Sequence, residues 1–263
     1  MRILLPAELP IPSAVDRRGR LPGHTVAGTG EAKGVLLLRD DSPTSVVNLT
    51  VHGIGATPRE LGPDEAQVWV SVEQFEQVLD AVSSRSDVRL TFDDANVSDV
   101  DIALPLLAQR GLTAEFFILA GLLGEPGRLD RSGVRELSRA GMRIGSHGWA
   151  HRDWRRLAGG EVTEELTDAP RVLGELAGAT VAAVSVPFGS YDRHVLRRLR
   201  RAGAARVYTS DGGRARPGSW LQPRNSLCRD VDGGWVRAVL DGSPPLKQRA
   251  RRTAARVVKR MRG

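Results

Sequence analysis

The sequence contains a single cysteine, Cys228, and no run of about 18 consecutive apolar residues. One cysteine excludes an intrachain disulfide and a cysteine-based zinc site. The missing apolar run argues against a membrane-spanning helix. The first residues, MRILLPAELPIPS, are broken by prolines and lack the continuous apolar stretch of a secretory signal. From these absences we expect a cytoplasmic protein.

Acidic residues are absent from the last 17 positions, although the chain as a whole has a net charge of +7. Eight of the 38 basic residues lie in 247–263, which leaves 30 basic against 31 acidic residues in the rest. The basic character therefore belongs to the tail, and nucleic-acid binding by the body is not expected. The tail is either a solvated C-terminus or a segment attracted to an anionic membrane surface.

Strand and helix patterns alternate through the middle of the chain, which is typical of a parallel α/β fold with right-handed crossovers. The apolar runs predict strands at 3–5, 34–38, 46–51, 88–92, 113–120, 142–145, 181–187 and 206–209. Helical spacing predicts helices at 70–82, 101–111, 130–141, 161–176 and 192–202. In the first of these helices, Ser71 and Gln74 have the spacing of a capping box.

Two adjacent carboxylates, Asp93 and Asp94, follow the strand of the segment RLTFDDAN. If both face one cleft, their like charges favour a bound cation or a shared proton. The plain alternative is that one of them caps the next helix.

Two histidines, His147 and His151, lie in SHGWAH, just after another short strand. Residues four apart on a helical turn share one face, so the pair could bind one ion. With a strand-end carboxylate they supply two imidazoles and one oxygen, the usual three protein ligands of a catalytic zinc-type site. The second carboxylate would remain as a base.

These motifs resemble those of the polysaccharide deacetylase family, the NodB-homology domain of carbohydrate esterase family 4. The resemblance runs from about residue 46 to residue 227 and includes TFDDANVSDVDIALPLLAQRGLTAEFFIL, the second motif at 142–154 and VPFGSYD at 186–192. It implies an α/β fold, a distorted (β/α)7-type barrel. The implied organisation is an irregular extension at 1–45, a catalytic domain at 46–245 and a basic tail at 246–263. Within the family, the chain looks most like the poly-N-acetylglucosamine deacetylase branch.

The resemblance assigns catalytic and metal-binding roles. Asp94, His147 and His151 would bind one divalent ion, with Zn²⁺ expected and Co²⁺ or Ni²⁺ as alternatives. Asp93 would act as the base. His52, on the first strand as in the exopolysaccharide branch, would be the acid.

The remaining candidates form the substrate pocket. By resemblance, Phe188 supplies a backbone N–H to the reaction's oxyanion, and Gly189 and Tyr191 line the pocket with it. Trp149 either stacks on a sugar ring or packs, whereas packing is the favoured interpretation for Trp154.

The third motif departs from the family pattern because Ser185-Val186-Pro187 lacks the arginine that often orients the base. Arg224 and Asp211 are candidates for that role by position, or they are ordinary loop residues. Arg224 is also a predicted substrate-binding residue. In two further departures, Ala95 replaces the glycine of TFDDG, and Gly148 replaces a Ser or Thr that would steady the loop.

The expected function is metal-dependent removal of N-acetyl groups from an amino-sugar glycan, or from a lipid- or nucleotide-linked precursor. One alternative is a catalytically silent carbohydrate-binding protein of the same fold. Another is an O-acetyl esterase or an enzyme acting on a different C–N amide.

Overall fold

The computed structural model of the protein describes residues 43–242. The predicted strands at 3–5 and 34–38 and the basic tail lie outside the described residues. The domain boundaries after 45 and 245 therefore stay a prediction.

A single sheet of parallel strands organises the described residues. Its path runs β10-β8-β7-β6-β5-β4-β1-β11, and β9 pairs antiparallel with β1. All eight strands along the path are parallel to their neighbours, which makes the sheet a nearly closed barrel. The predicted distorted α/β barrel is confirmed, with eight parallel strands rather than seven. The strands are β1 Val46–Val51, β2 Gly53–Ile54, β3 Trp69–Val70, β4 Val88–Asp93, β5 Ala114–Ile118, β6 Arg143–Ser146, β7 Ala183–Ser185, β8 Arg206–Thr209, β9 Arg214–Ala215, β10 Leu221–Pro223 and β11 Asn225–Ser226.

The two end strands of the sheet, β10 and β11, are joined in the chain by a single residue. Strand β10 pairs with β8 at one end of the sheet, and β11 pairs with β1 at the other end. Only Arg224 separates these two strands in the chain. Its backbone N–H donates to the Thr209 carbonyl (2.8 Å), and its own carbonyl accepts from Gly212 (2.9 Å). Arg224 is thereby held at the seam.

Eight α-helices connect the strands. The predicted capping box is present, because Gln74 N–H donates to Ser71 Oγ (3.1 Å) and Ser71 N–H donates to Gln74 Oε1 (2.9 Å). The helices are α1 Pro63–Gln67, α2 Val72–Val82, α3 Leu104–Gln109, α4 Arg131–Arg139, α5 Gly160–Thr163, α6 Ala169–Ala177, α7 Arg193–Arg201 and α8 Gly233–Leu240.

Two of the predicted helices contain an irregular turn. The helix expected from residue 101 starts as a π-type turn, Asp99–Ala103, before α3. The helix expected at 161–176 contains a second such turn, Glu164–Asp168, between α5 and α6. Turns of this kind redirect side chains and are frequent at functional sites. Both turns carry a buried carboxylate, Asp99 in the first and Glu165 in the second.

An apolar and aromatic layer fills the space between the sheet and the helices. Phe92 on β4 stacks on Phe116 of β5 with ring centroids 4.4 Å apart, and Phe75 of α2 meets Phe92 edge-on at 5.9 Å. None of the helices within 43–242 is long and apolar enough to cross a membrane. In parallel barrels the active-site residues lie at the carboxyl ends of the strands, so we expect the functional site at that edge of the sheet.

Candidate active site

A cleft of about 490 Å³ opens at the carboxyl ends of the parallel strands. Five of the predicted residues come from four different strand ends and line it together: His52 after β1, Asp93 and Asp94 at the end of β4, His147 after β6, and Phe188 after β7. Parallel strands end at one edge, so residues distant in sequence meet there.

Asp94, His147 and His151 form a group with the geometry of a metal site. Their donor atoms all lie within 4.8 Å of one another. Asp94 Oδ1 is 3.5 Å from His147 Nε2 and 3.6 Å from His151 Nε2. The same oxygen is buried and has no hydrogen-bond partner among the described residues. An unpartnered buried oxygen facing two imidazole nitrogens fits a divalent cation of the His₂Asp type.

The two histidines lie on a loop, so the expectation of a helical turn was wrong. Residues 147–152 have no helical structure after β6, and His151 has a φ of 54°. The loop still brings the rings together, with centroids 5.0 Å apart. His147 Nδ1 donates to the Ser185 carbonyl (2.9 Å), which turns Nε2 toward Asp94. Burial lowers the pKa of His151 to about 4, and the neighbouring His147 adds to this shift.

The turn that carries Asp94 is strained and is held by a neighbouring segment. Asp94 and Ala95 have φ values of 78° and 54°, a region that favours glycine. Leu129 N–H donates to the Ala95 carbonyl (2.7 Å), and Arg128 Nη1 donates to the Asp94 carbonyl (2.8 Å). These bonds stabilise a backbone conformation that Ala95 adopts less readily than the glycine usual at this position.

Asp93 does not cap a helix; it pairs with Arg224 inside the barrel. Arg224 Nη1 and Nη2 donate to its two oxygens at 2.7 and 2.6 Å, and Ser185 Oγ donates to Oδ2 at 3.0 Å. Burial alone would raise the pKa of Asp93, but the charge and hydrogen bonds of Arg224, with the nearby His147, hold it well below its usual range. Arg224 thus occupies the position of the orienting arginine missing from the third motif. Asp211, the other candidate, accepts from Tyr191 and Thr209 instead.

His52 is partly buried in the cleft lining, and its Nδ1 atom is shielded from water. Its Nδ1 has no hydrogen-bond partner among the described residues, and its carbonyl accepts from Asn96 (2.7 Å). Burial lowers the pKa of His52, and the negative charge of Asp94 only partly opposes this. The ring is therefore neutral at pH 7 and must take up a proton before it can donate one.

The loop of the second motif is steadied by Glu165, which sequence reasoning missed. Its carboxylate accepts from the N–H groups of Trp149 (2.8 Å) and Ala150 (3.0 Å) and from the Trp154 indole (3.1 Å). Gly148, with φ 90°, lies directly against it: a Cβ there would be 2.1 Å from Glu165 Oε2. The buried carboxylate thus steadies the loop where a Ser or Thr at 148 is usual, and it leaves no room for that side chain.

We expect Gly148→Ala to destabilise the protein more than Gly124→Ala does. Both glycines have φ near 90°, but a Cβ at Gly124 meets nothing within 4 Å. The control should lose about 1–2 kcal/mol from φ alone. Gly148→Ala should lose at least about 1 kcal/mol more, because it displaces a carboxylate that binds three N–H groups. Urea unfolding measures both, and equal losses would contradict the role of Glu165.

The predicted substrate-contacting residues separate into two groups. Phe188 lies on the cleft wall with φ 58°, a side chain 64% exposed and its ring 4.3 Å from that of His151. Gly189 lines the cleft beside it. Tyr191 is 2% exposed and donates its hydroxyl to Asp211 (2.6 Å), so a direct contact with substrate is not what the structure favours.

The tryptophans lie away from the metal donors. Trp149 lines a separate shallow depression with Glu161 and Glu164. Trp154 is 1% exposed, which confirms that it packs.

Asp99 is a buried carboxylate that the sequence motifs did not indicate. It is fully buried, and its oxygens have no hydrogen-bond partner within 43–242. Burial, with the negative charge of Asp94, raises the pKa of Asp99 well above its usual range.

Comparison with known proteins shows that the chain is similar to polysaccharide deacetylases. Residues 81–207 match the family "Polysaccharide deacetylase". The "Putative polysaccharide deacetylase YxkH" of Bacillus subtilis (strain 168) is 24% identical over 136 residues, 52% of this chain and 49% of that protein. The chain thus spans about half the length of this relative. The "Chitooligosaccharide deacetylase" of Azorhizobium caulinodans is 24% identical over 176 residues, 64% of this chain and 80% of that protein.

A solved structure shares the fold. The Streptococcus pyogenes deacetylase PplD, solved in complex with acetate, superposes with a TM-score of 0.66 at 21% identity, covering 77% of this chain and all of that one. The barrel fold, the Asp93–Asp94 pair at the end of β4 and the sequence matches all indicate a polysaccharide deacetylase domain. Residues 81–207 of this chain therefore belong to a polysaccharide deacetylase domain, and the fold is the NodB-homology fold of carbohydrate esterase family 4.

Proposed function

We propose that the protein is a metal-dependent hydrolase that removes N-acetyl groups from an amino-sugar-containing glycan. The observation that carries this proposal is the unpartnered Asp94 Oδ1 facing two imidazoles, with a second carboxylate, Asp93, 3.8 Å from His147 Nε2. Metal donors beside a separate ionised base suit hydrolysis of an amide by water. The family and the name of the Azorhizobium relative support an N-acetylated oligosaccharide as substrate.

Asp94, His147 and His151 are the residues that would hold the cation, and Zn²⁺ is the ion we expect from this donor set. A divalent cation in such a site acts as a Lewis acid and lowers the pKa of a coordinated water. The His147 donor is already oriented for a cation, because the ring donates from Nδ1 to the Ser185 carbonyl and its Nε2 is left to bind the ion.

Asp93 accepts the proton of the attacking water. Arg224 keeps this carboxylate ionised and fixes both of its oxygens, so it needs no reorientation during the reaction. Arg224 is therefore a positioning residue, buried on the inner side of Asp93.

The other two roles fall to Phe188 and His52. We assign to the backbone N–H of Phe188, a residue on the wall of the cleft, a hydrogen bond to the oxygen on which negative charge develops. His52, once protonated, delivers a proton to the departing sugar nitrogen. That proton is needed because an amide anion is a very poor leaving group.

The direct test is acetate release by protein reconstituted with Zn²⁺, Co²⁺ or Ni²⁺. The substrates are N-acetylglucosamine oligomers and, as comparison, O-acetylated sugars. We expect metal-dependent release from the N-acetylated series. Release only from the O-acetylated sugars would make the protein an esterase. Binding of oligomers without release from either series would make it a silent carbohydrate-binding protein.

A further inference from the structure

A second arginine, Arg128, lines the cleft together with Arg224. Its side chain is 13% exposed, so most of its guanidinium is removed from water. The segment around it follows the short 3₁₀ turn Ala120–Leu122 and precedes α4.

Within 43–242, only one nitrogen of the Arg128 guanidinium, Nη1, makes hydrogen bonds. Nη1 donates to the Asp94 carbonyl (2.8 Å) and to Asn96 Oδ1 (3.2 Å). Within 43–242, neither Nε nor Nη2 makes a hydrogen bond. The nearest carboxylate oxygen to Nη2 is Glu65 Oε1, at 3.7 Å. A guanidinium carries five N–H donors, so three of them remain for a ligand.

Arg128 shares its nearest ion-pair partner, Glu65, with Arg59, and the negative charge of Asp94 also acts on it. Glu65 is already engaged by Arg59, which donates to both of its oxygens. Arg59, Glu65 and Arg128 together keep one positive charge. Arg224 and Asp93 cancel each other at the other side of the cleft floor. A largely buried guanidinium with three free donors is suited to a phosphate or carboxylate, which it can bind with two parallel hydrogen bonds.

We propose that Arg128 binds an oxyanion that the substrate carries on a ring carbon next to the acetamido carbon. This inference rests on the proposed function, which places the acetamido group at Asp94, His147 and His151. Because Arg128 contacts the carbonyl of Asp94 itself, the neighbours of the acetamido carbon are the substituents within its reach. In a 2-acetamido sugar, these are a phosphate on C1 or the carboxylate of an ether on C3. The substrate class is therefore an anionic amino sugar, which we expect to bind more tightly than the neutral oligomers of the acetate-release test.

Arg128 also supports the strained Asp94–Ala95 turn, so a simple loss of activity in a variant would not separate the two roles. A supporting role affects every ligand equally. Recognition affects anionic ligands selectively. The ratio of affinities for an anionic and a neutral ligand is therefore the decisive quantity.

The experiment measures binding to metal-loaded protein by titration calorimetry. The probes are deacetylated sugars, which the enzyme cannot turn over: glucosamine 1-phosphate, the 3-O-carboxyethyl ether of glucosamine, and methyl glucosaminide as the neutral reference. We expect one anionic probe to bind at least about tenfold more tightly than the reference, and which one it is identifies the anion. Arg128→Gln should abolish this preference, and Arg128→Lys should keep part of it as a point charge.

Arg139→Gln removes the same charge from an exposed position on α4 and should keep the full preference. Metal content is measured in every variant. Three results would overturn the proposal: no preference in the unmodified protein, no detectable binding of either anion at millimolar concentration, or equal weakening of all three probes in Arg128→Gln. The readout is independent of turnover, so failure of the acetate-release test would not be confused with failure here.

Discussion

Asp93→Asn is expected to lower kcat by about 10²–10⁴-fold, the usual contribution of a general base, while the metal content stays unchanged. The amide keeps the shape of the side chain and one acceptor oxygen for Arg224, but it cannot accept a proton from water. Asp93 makes no direct contribution to the group of three metal donors. Kinetics of acetate release with parallel metal analysis measure both quantities.

Folding has to be monitored in the same variant, because Asp93→Asn leaves Arg224 as a buried charge without its carboxylate. We expect a lower melting temperature but a folded protein at 25 °C, since Ser185 Oγ still accepts from Arg224 Nη2 (2.6 Å). Asp101→Asn, at an exposed position on the following turn, is the matched control and should keep full activity. A folded Asp93→Asn protein with undiminished turnover would show that another group is the base.

His147→Ala is expected to lower metal affinity by more than about a hundredfold, since loss of an outer-shell partner alone can reach that value. The substitution removes one of three donors and also the ring whose orientation the Ser185 carbonyl fixes. Metal content after dialysis, and competition against a chelator, measure the change. Activity should fall in proportion to the bound metal.

His194→Ala is the matched control for this loss, because His194 is an exposed histidine on α7, outside the metal donor group. It should bind metal as the unmodified protein does. If His147→Ala retained one equivalent of metal with the original affinity, the site would have to lie elsewhere.

The donors of the metal site were predictable because they are carried by short local motifs at strand ends. A buried strand followed by Asp93 and Asp94, and a second strand followed by His147, meet whenever parallel strands share one edge. The strand pattern and that rule predicted the grouping, and the family resemblance assigned Asp94 to the cation and Asp93 to the base. The local geometry was less predictable: the pair His147 and His151 converges through a left-handed loop residue, not through helical spacing.

The capping box at Ser71 and the barrel class were likewise determined by local sequence. The former depends on two side chains three residues apart, and the latter on the alternation of strand and helix patterns. The π-type turns were not predicted, because an inserted residue leaves the apolar periodicity of a helix almost unchanged.

By itself, the sequence determined which side chains could hold a cation and that a carboxylate was left beside them. Only the tertiary structure decided what supports them. Arg224 meets Asp93 across 131 positions because the barrel closes at that residue, and Glu165 reaches the second-motif loop from a π-type turn. Such contacts depend on strand register and chain closure, so no local pattern records them. The same is true of Arg128, whose free donors face the cleft only because its segment crosses the Asp94 turn.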